Sequence, residues 1–141
     1  MKITGETSET GTKVTFKADR EIFEQTVEYD YDTLLKMLRE QAFLNAGVKI
    51  VFEDKRTDEY KGEVLHYEGG IRQFVEHIHK TRGLEAITPQ VIYISGIKDD
   101  ITAEIAFQYN DSYNELVLSF ANNVHTPDGG THEIGLSLIH I

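Results

Sequence analysis

In the stretch ITAEIAFQY (101–109), Ile101, Ala103, Ile105, Phe107 and Tyr109 fall on every second position without a miss. Such an alternation suits only an extended chain. Successive strand side chains point to opposite faces, whereas a helix would scatter the same residues around its axis. The stretch therefore predicts a strand with one apolar face, and that face requires cover. The residues NDS (110–112) supply a turn, and YNELVLSFANN (113–123) returns with Leu116, Leu118 and Phe120 on one side. The two segments are expected to pair as an antiparallel hairpin, with QVIYISG (90–96) as a further strand.

Earlier in the chain the period changes twice. GTKVTF (11–16) alternates, with Val14 and Phe16 on one side, and reads as a strand after the loop TGETSETG. DYDTLLKMLREQAFLN (30–45) carries Leu34, Leu35, Leu38 and Ala42 at helical spacing. Asp30 is placed to cap its start, and NAG (45–47) is a stop signal. VKIVFED (48–54) alternates again through Val48, Ile50 and Phe52, a polar link follows, and VLHY (64–67) is a short strand. After EGG (68–70), Ile71, Phe74, Val75 and Ile78 take the i, i+3, i+4, i+7 positions of an amphipathic helix. Strands interleaved with two helices make the class α+β, with a seam expected near YEGG.

Composition narrows the partners. Fourteen Lys and Arg against 24 Asp and Glu leave a formal charge of −10, which disfavours direct wrapping of nucleic acid by this stretch of chain. There is no cysteine, so a disulfide framework, a zinc ribbon and a thiol nucleophile are excluded, and a reducing cytosol is suited. The N-terminus lacks the apolar core of a signal peptide, and no run approaches the ~18 apolar residues of a membrane helix. A cytoplasmic protein is expected.

The chemistry-bearing residues form no complete site. His77 and His79 stand two apart on the predicted helix, so their side chains diverge by about 200° and cannot share one ion. His66, His125, His132 and His140 are scattered, and no metal-ligand spacing occurs. The acids Asp30, Asp32, Asp58, Glu59, Asp99 and Asp100 lie in or beside loops, where carboxylates are ordinarily solvated. HTPDGGTHEIG (125–135) lacks the lysine of a P-loop and the three-glycine spacing of a dinucleotide fingerprint. Gly129 and Gly130 could expose N–H groups to an anion at a helix start. A plain turn with Thr131 as the helix cap explains the same residues.

Longer strings carry a resemblance. TGETSETGTKVTF (4–16), REQAFLNAGVKIVFEDKR (39–56), LHYEGGIRQFVEHIHK (65–80) and IAFQYNDSYNELVLSFANNVHTPDGGTHEIG (105–135) occur in this order. Together they resemble the middle of the B subunit of bacterial DNA gyrase, with the B subunit of topoisomerase IV as the close relative. The resemblance covers about residues 2–135, and FLNAGV, HYEGGI and GGTHE are its most specific parts.

The resemblance implies that residues 1–71 form the C-terminal part of a GHKL-type ATPase domain, an α/β sandwich. Residues 72–135 would then begin an α+β transducer domain with a ribosomal-protein-like fold. It implies ATP and Mg²⁺ as cofactors of the whole subunit, with DNA, gyrase A and a second copy of gyrase B as partners. The family's Gly-Thr-x-Val motif maps onto Gly11, Thr12, Lys13 and Val14. By this resemblance Thr12 hydrogen-bonds the adenine side of ATP, partly through water, and Val14 lines the adenine slot. The family's general-base Glu, magnesium-binding Asn, adenine-reading Asp, phosphate lid and transducer lysine have no counterparts here. A catalytic or metal-binding residue is thus not expected in this internal fragment, which should be inactive and only marginally stable alone. LSLIHI (136–141) departs from the family's long helix and is expected to be a non-native tail. The alternatives are a fragment of the B subunit of topoisomerase IV, serving decatenation, or a stand-alone acidic, non-catalytic module that docks a partner through its hairpin.

Overall fold

The structure is a computed structural model that describes residues 5–139 apart from 7, 9, 24 and 25. Met1, Lys2, Ile3, Thr4 and His140 lie outside the described residues, as does Ile141, so the expected tail falls partly outside them. The chain divides into two compact units, Met1–Asp30 and Tyr31–Ile141.

The first unit carries no helix or strand among its described residues. GTKVTF does not form the expected strand, and Val14 and Phe16 are exposed. Alternation alone does not make a strand, because the backbone N–H and C=O groups need a second chain to pair with. Phe16 instead meets Tyr29 edge to face at 5.4 Å. Asp19 nucleates a turn, accepting from Phe23 N at main-chain oxygen and from Glu21 N at Oδ1.

In the second unit the order is α1 (Tyr31–Leu44), β1 (Lys49–Asp54), β2 (Lys61–His66), α2 (Gly70–Arg82), β3 (Ile92–Lys98), β4 (Ile101–Phe107), β5 (Phe120–Ala121), β6 (Val124–His125) and α3 (Thr131–Ile139). The class is α+β. Its described strands pair as three antiparallel hairpins, β1–β2, β3–β4 and β5–β6.

The core sits where α1 lies on β1–β2. Tyr31, Leu35, Ala42 and Phe43 recur at helical spacing and are buried. They meet Leu65, with Leu38, Ile50, Phe52 and Tyr67 packed alongside. Ile50 and Phe52 face inward opposite Leu65 and Glu63, while Val48 and Val51 remain exposed. Phe43 stacks on Tyr67 of the β2–α2 link at 3.8 Å and on Phe74 of α2 at 4.9 Å. One ring therefore joins α1, the end of β2 and α2 into a single packing unit. Arg39 spans the same layer, donating from Nη2 to Glu63 Oε1 at 2.7 Å. Helix α2 ends at Gly83, whose φ of 65° closes the last turn in the left-handed region that side chains disfavour.

The hairpin expected between 101–109 and 113–123 does not form. Strand β4 pairs with β3 across Asp99–Asp100, with Lys98 opposite Ile101 and Ile92 opposite Phe107. Both aspartates take the left-handed φ, 50° and 64°, that a two-residue hairpin with the right twist demands. The NDS residues turn the chain in another direction. Asn110 Oδ1 accepts from Ser112 N, Asp111 N donates to Glu85 O, and Glu85 N donates to Asp111 Oδ1. Residues 109–111 are thereby held beside the 85–87 link, and residues 113–119 join no strand ladder.

His77 sits half-buried on α2 with its ring 5.3 Å from Phe43. Burial, then the nearby charges of Arg39 and Lys80, push its pKa below the ordinary histidine value. The unfolded chain therefore takes up this proton first as pH falls. Stability from this group is fully present above about pH 6.5 and declines below it. His77→Asn is expected to flatten the acid-side fall in urea midpoint between neutral and mildly acidic pH. An unchanged slope would show that another group sets it.

Candidate functional site

Two places were singled out by sequence, the Thr12–Val14 segment and the corner at Gly129–Gly130. The first offers no enclosed slot within its own unit. Thr12 is exposed, Val14 is 74% exposed, and neither belongs to a strand. Gripping a flat base requires apolar walls on both faces and a convergent polar group. Here Thr12 and Val14 supply one hydroxyl and one apolar side chain, and no described residue of Met1–Asp30 is buried.

The second place is built in detail. Strand β6 ends at His125, and Gly129 N donates back to Thr126 O at 3.0 Å, tightening the chain before α3. Gly129 has φ 73°, which a side chain would resist, and a Cβ on Gly130 would lie 2.6 Å from the His132 ring. Gly130 O accepts from Ile134 N, so the cap position falls on Gly130 and Thr131 is the first helical residue. Thr131 is thus not the cap that its residue type suggested. The corner needs the left-handed φ of Gly129, which glycine adopts freely, while the group crowding Gly130 is the His132 side chain.

The helix start is already supplied with a negative charge. Glu133 lies in the first turn of α3, where a carboxylate suits the positive end of the helix dipole. Ser119 Oγ donates to Glu133 Oε2 at 2.8 Å and lies 2.7 Å from Thr126 Oγ1. His132 Nε2 comes within 3.4 Å of the same Thr126 hydroxyl. This Ser119–Thr126–Glu133 network was missed in the sequence, although an acid three positions after the cap is the signal that announces it. A phosphate at this corner would meet the Glu133 carboxylate, so the network locks backbone geometry and leaves no anion cradle.

The remaining candidates stay apart. Among the described residues no group of three or more His, Cys, Asp or Glu could hold a metal ion. Asp54 is held by Arg56, through side-chain and then backbone hydrogen bonds, which lower its pKa to about 2. That pair sits at the start of the β1–β2 loop. No helix among the described residues is long and apolar enough to cross a membrane.

Comparison with known proteins supplies what the isolated geometry does not. Residues 70–138 match the family model described as DNA gyrase B. The chain is 47% identical over 135 residues to the DNA gyrase B subunit of Bacillus mycoides, covering 96% of this chain and 33% of that relative. It is 52% identical over 132 residues to the DNA gyrase B subunit of Clostridium acetobutylicum, covering 93% of this chain and 20% of that relative. The chain therefore spans a third or less of the length of these curated relatives. Among solved structures it resembles the 43K ATPase domain of Thermus thermophilus gyrase B, crystallised with an aminocoumarin. There the TM-score is 0.69 and the identity 33%, over 81% of this chain and 30% of that one. It also resembles the B-subunit of the DNA gyrase from Myxococcus xanthus, with a TM-score of 0.75 and 25% identity, over 85% of this chain and 33% of that one.

Proposed function

Because the chain belongs to the DNA gyrase B family of type II topoisomerase subunits, we propose that it is the joint between nucleotide pocket and transducer. On this reading residues 1–71 close a GHKL-type ATPase domain and 72–135 open the transducer domain. The observation that carries it is the stack of Phe43 on Phe74, which welds α1 of the first part to α2 of the second. Rigid packing of that kind transmits displacement, because interiors are close-packed and poorly compressible.

In the whole protein, ATP with Mg²⁺ would bring two copies of gyrase B together around DNA. Hydrolysis would then reset the gate that gyrase A opens, producing negative supercoiling in the cytoplasm. Thr12 would donate to or accept from the adenine edge, and Val14 would cover its face. Neither residue would reach the phosphates, where the rate of phosphoryl transfer is decided. The 141 residues taken alone are therefore expected to be non-catalytic.

The test is magnesium-dependent phosphate release by the purified chain, measured beside Thr12→Ala. The expected result is identical background release from both. Release above the Thr12→Ala control would overturn the division of labour, since it would require a base and a metal site within these residues.

A further inference from the structure

The end of α1 and the β5–β6 turn lie far apart in sequence and meet through three amide side chains. Gln41 Nε2 donates to Asn123 O at 2.7 Å, and Asn123 Nδ2 donates to Asn45 Oδ1 at 2.9 Å. Asn45 Nδ2 donates in turn to Gln41 O at 2.8 Å, which closes the ring. Asn45 thus uses both ends of its amide, and Asn123 uses its main-chain oxygen and its side-chain nitrogen. Asn123 is held with φ 64° and its neighbour Asn122 with φ 49°, so the turn presents that carbonyl and amide to α1 together.

The same elements also share a row of rings. Tyr67, Phe43, Phe74, Phe120 and His125 follow one another with centroid separations between 3.8 and 6.4 Å. The contacts tighten toward α1 and loosen toward β5. Phe43 and Phe74 stack at 4.9 Å, whereas Phe74 and Phe120 are tilted and 6.4 Å apart. The β5–β6 hairpin, with two residues per strand, is thus packed weakly on α2 and pinned at its tip by polar bonds.

We propose that Gln41, Asn45 and Asn123 form a clasp that sets the position of the β5–β6/α3 corner against α1, and that its opening lets the corner swing about Phe74. The chemistry suits a catch. Gln41 and Asn45 are half-exposed and Asn123 is exposed, so water replaces each bond when the clasp opens. Phe74 and Phe120 are both only half-buried, so parting their tilted contact leaves no cavity of the kind a fully buried ring would leave. Ser119, Thr126 and Glu133 are hydrogen-bonded to one another, so the corner moves as one body. This inference does not depend on nucleotide binding by the chain.

The absence of cysteine makes the test clean, since two introduced thiols are the only ones available for labelling. Spin labels at Lys36→Cys on α1 and Asp128→Cys in the corner report the swing, and Lys36→Cys with Val64→Cys reports the α1–β2 layer. Two variants each remove one of the two bonds between α1 and the turn. Asn123→Gly keeps the left-handed turn while deleting the donor to Asn45, and Gln41→Leu deletes the donor to Asn123 on a helix-favouring side chain. In both, the Lys36–Asp128 distance distribution is expected to gain a longer component while the Lys36–Val64 distribution stays as in the parent. Unchanged Lys36–Asp128 distributions in both variants would overturn the proposal. Broadening of the Lys36–Val64 pair as well would also overturn it, because the residues would then be holding the whole unit and not the corner.

Discussion

Phe43→Ala is expected to lower the folding stability of the Tyr31–Ile141 unit by about 3–5 kcal/mol, the usual cost of emptying a buried aromatic site. Phe43 is 0% exposed and touches rings from three directions: Tyr67 at 3.8 Å, Phe74 at 4.9 Å and His77 at 5.3 Å. Removing it takes away transfer free energy and leaves a cavity that α1 and α2 cannot both fill, since each is anchored elsewhere. Arg39 ties α1 to Glu63, and Arg72 lies 4.2 Å over the Tyr93 ring, tying α2 to β3. The loss would be large against a total that is commonly about 5–15 kcal/mol.

It would be larger still in proportion here, because much apolar surface lies outside the core. Val48, Val51, Val64, Ile94, Ile97 and Ile101 are all among the exposed large side chains, with Ile101 at 70%. Urea unfolding followed by circular dichroism provides the measurement. Loss of the cooperative transition, or a midpoint shift equivalent to several kcal/mol, is expected. A change below about 1 kcal/mol would mean that the aromatic junction contributes little, since ordinary surface substitutions fall within that range. The proposed transmission between the two parts of the chain would then lose its physical basis.

The helices were the most legible elements because each carries a sustained 3.6-residue period. Leu35, Leu38 and Ala42 marked the face of α1 that meets Leu65. Ile71, Phe74 and Ile78 marked α2, though Phe43 was not singled out and proved to be the residue joining them. Strand existence was readable in ITAEIAFQY, and strand partnership was not. Period-2 patterning states which side chains share a face, but the choice of neighbour depends on turn chemistry and on competing polar bonds. Asp99–Asp100 made the hairpin turn without the glycine that usually announces one, while Asn110 and Asp111 spent their side chains on Ser112 and Glu85.

The nucleotide-side residues show a different limit. Thr12 and Val14 were found by their likeness to a family motif, and their local chain contains no core residue that explains them. Their proposed role depends on surfaces contributed by other parts of a longer protein, which no local pattern can reveal. The glycine corner was legible as a helix start, but its polar interior was not. Ser119 stands seven residues from Thr126 and fourteen from Glu133 along the chain, and only the β5–β6 hairpin brings them together.

As the joint of a DNA gyrase B subunit, this chain should substitute for the matching stretch of a relative. The most direct measurement replaces the 132 matched residues of Clostridium acetobutylicum gyrase B with this chain's own, where the two are 52% identical. The chimera, combined with that organism's gyrase A, is expected to hydrolyse ATP and to introduce negative supercoils. Thr12→Ala in the chimera should raise KM for ATP roughly fivefold with kcat little changed, as for the loss of one hydrogen bond worth about 1 kcal/mol that is made equally in ground and transition states. A folded chimera that binds gyrase A but neither hydrolyses ATP nor supercoils DNA would contradict the claim.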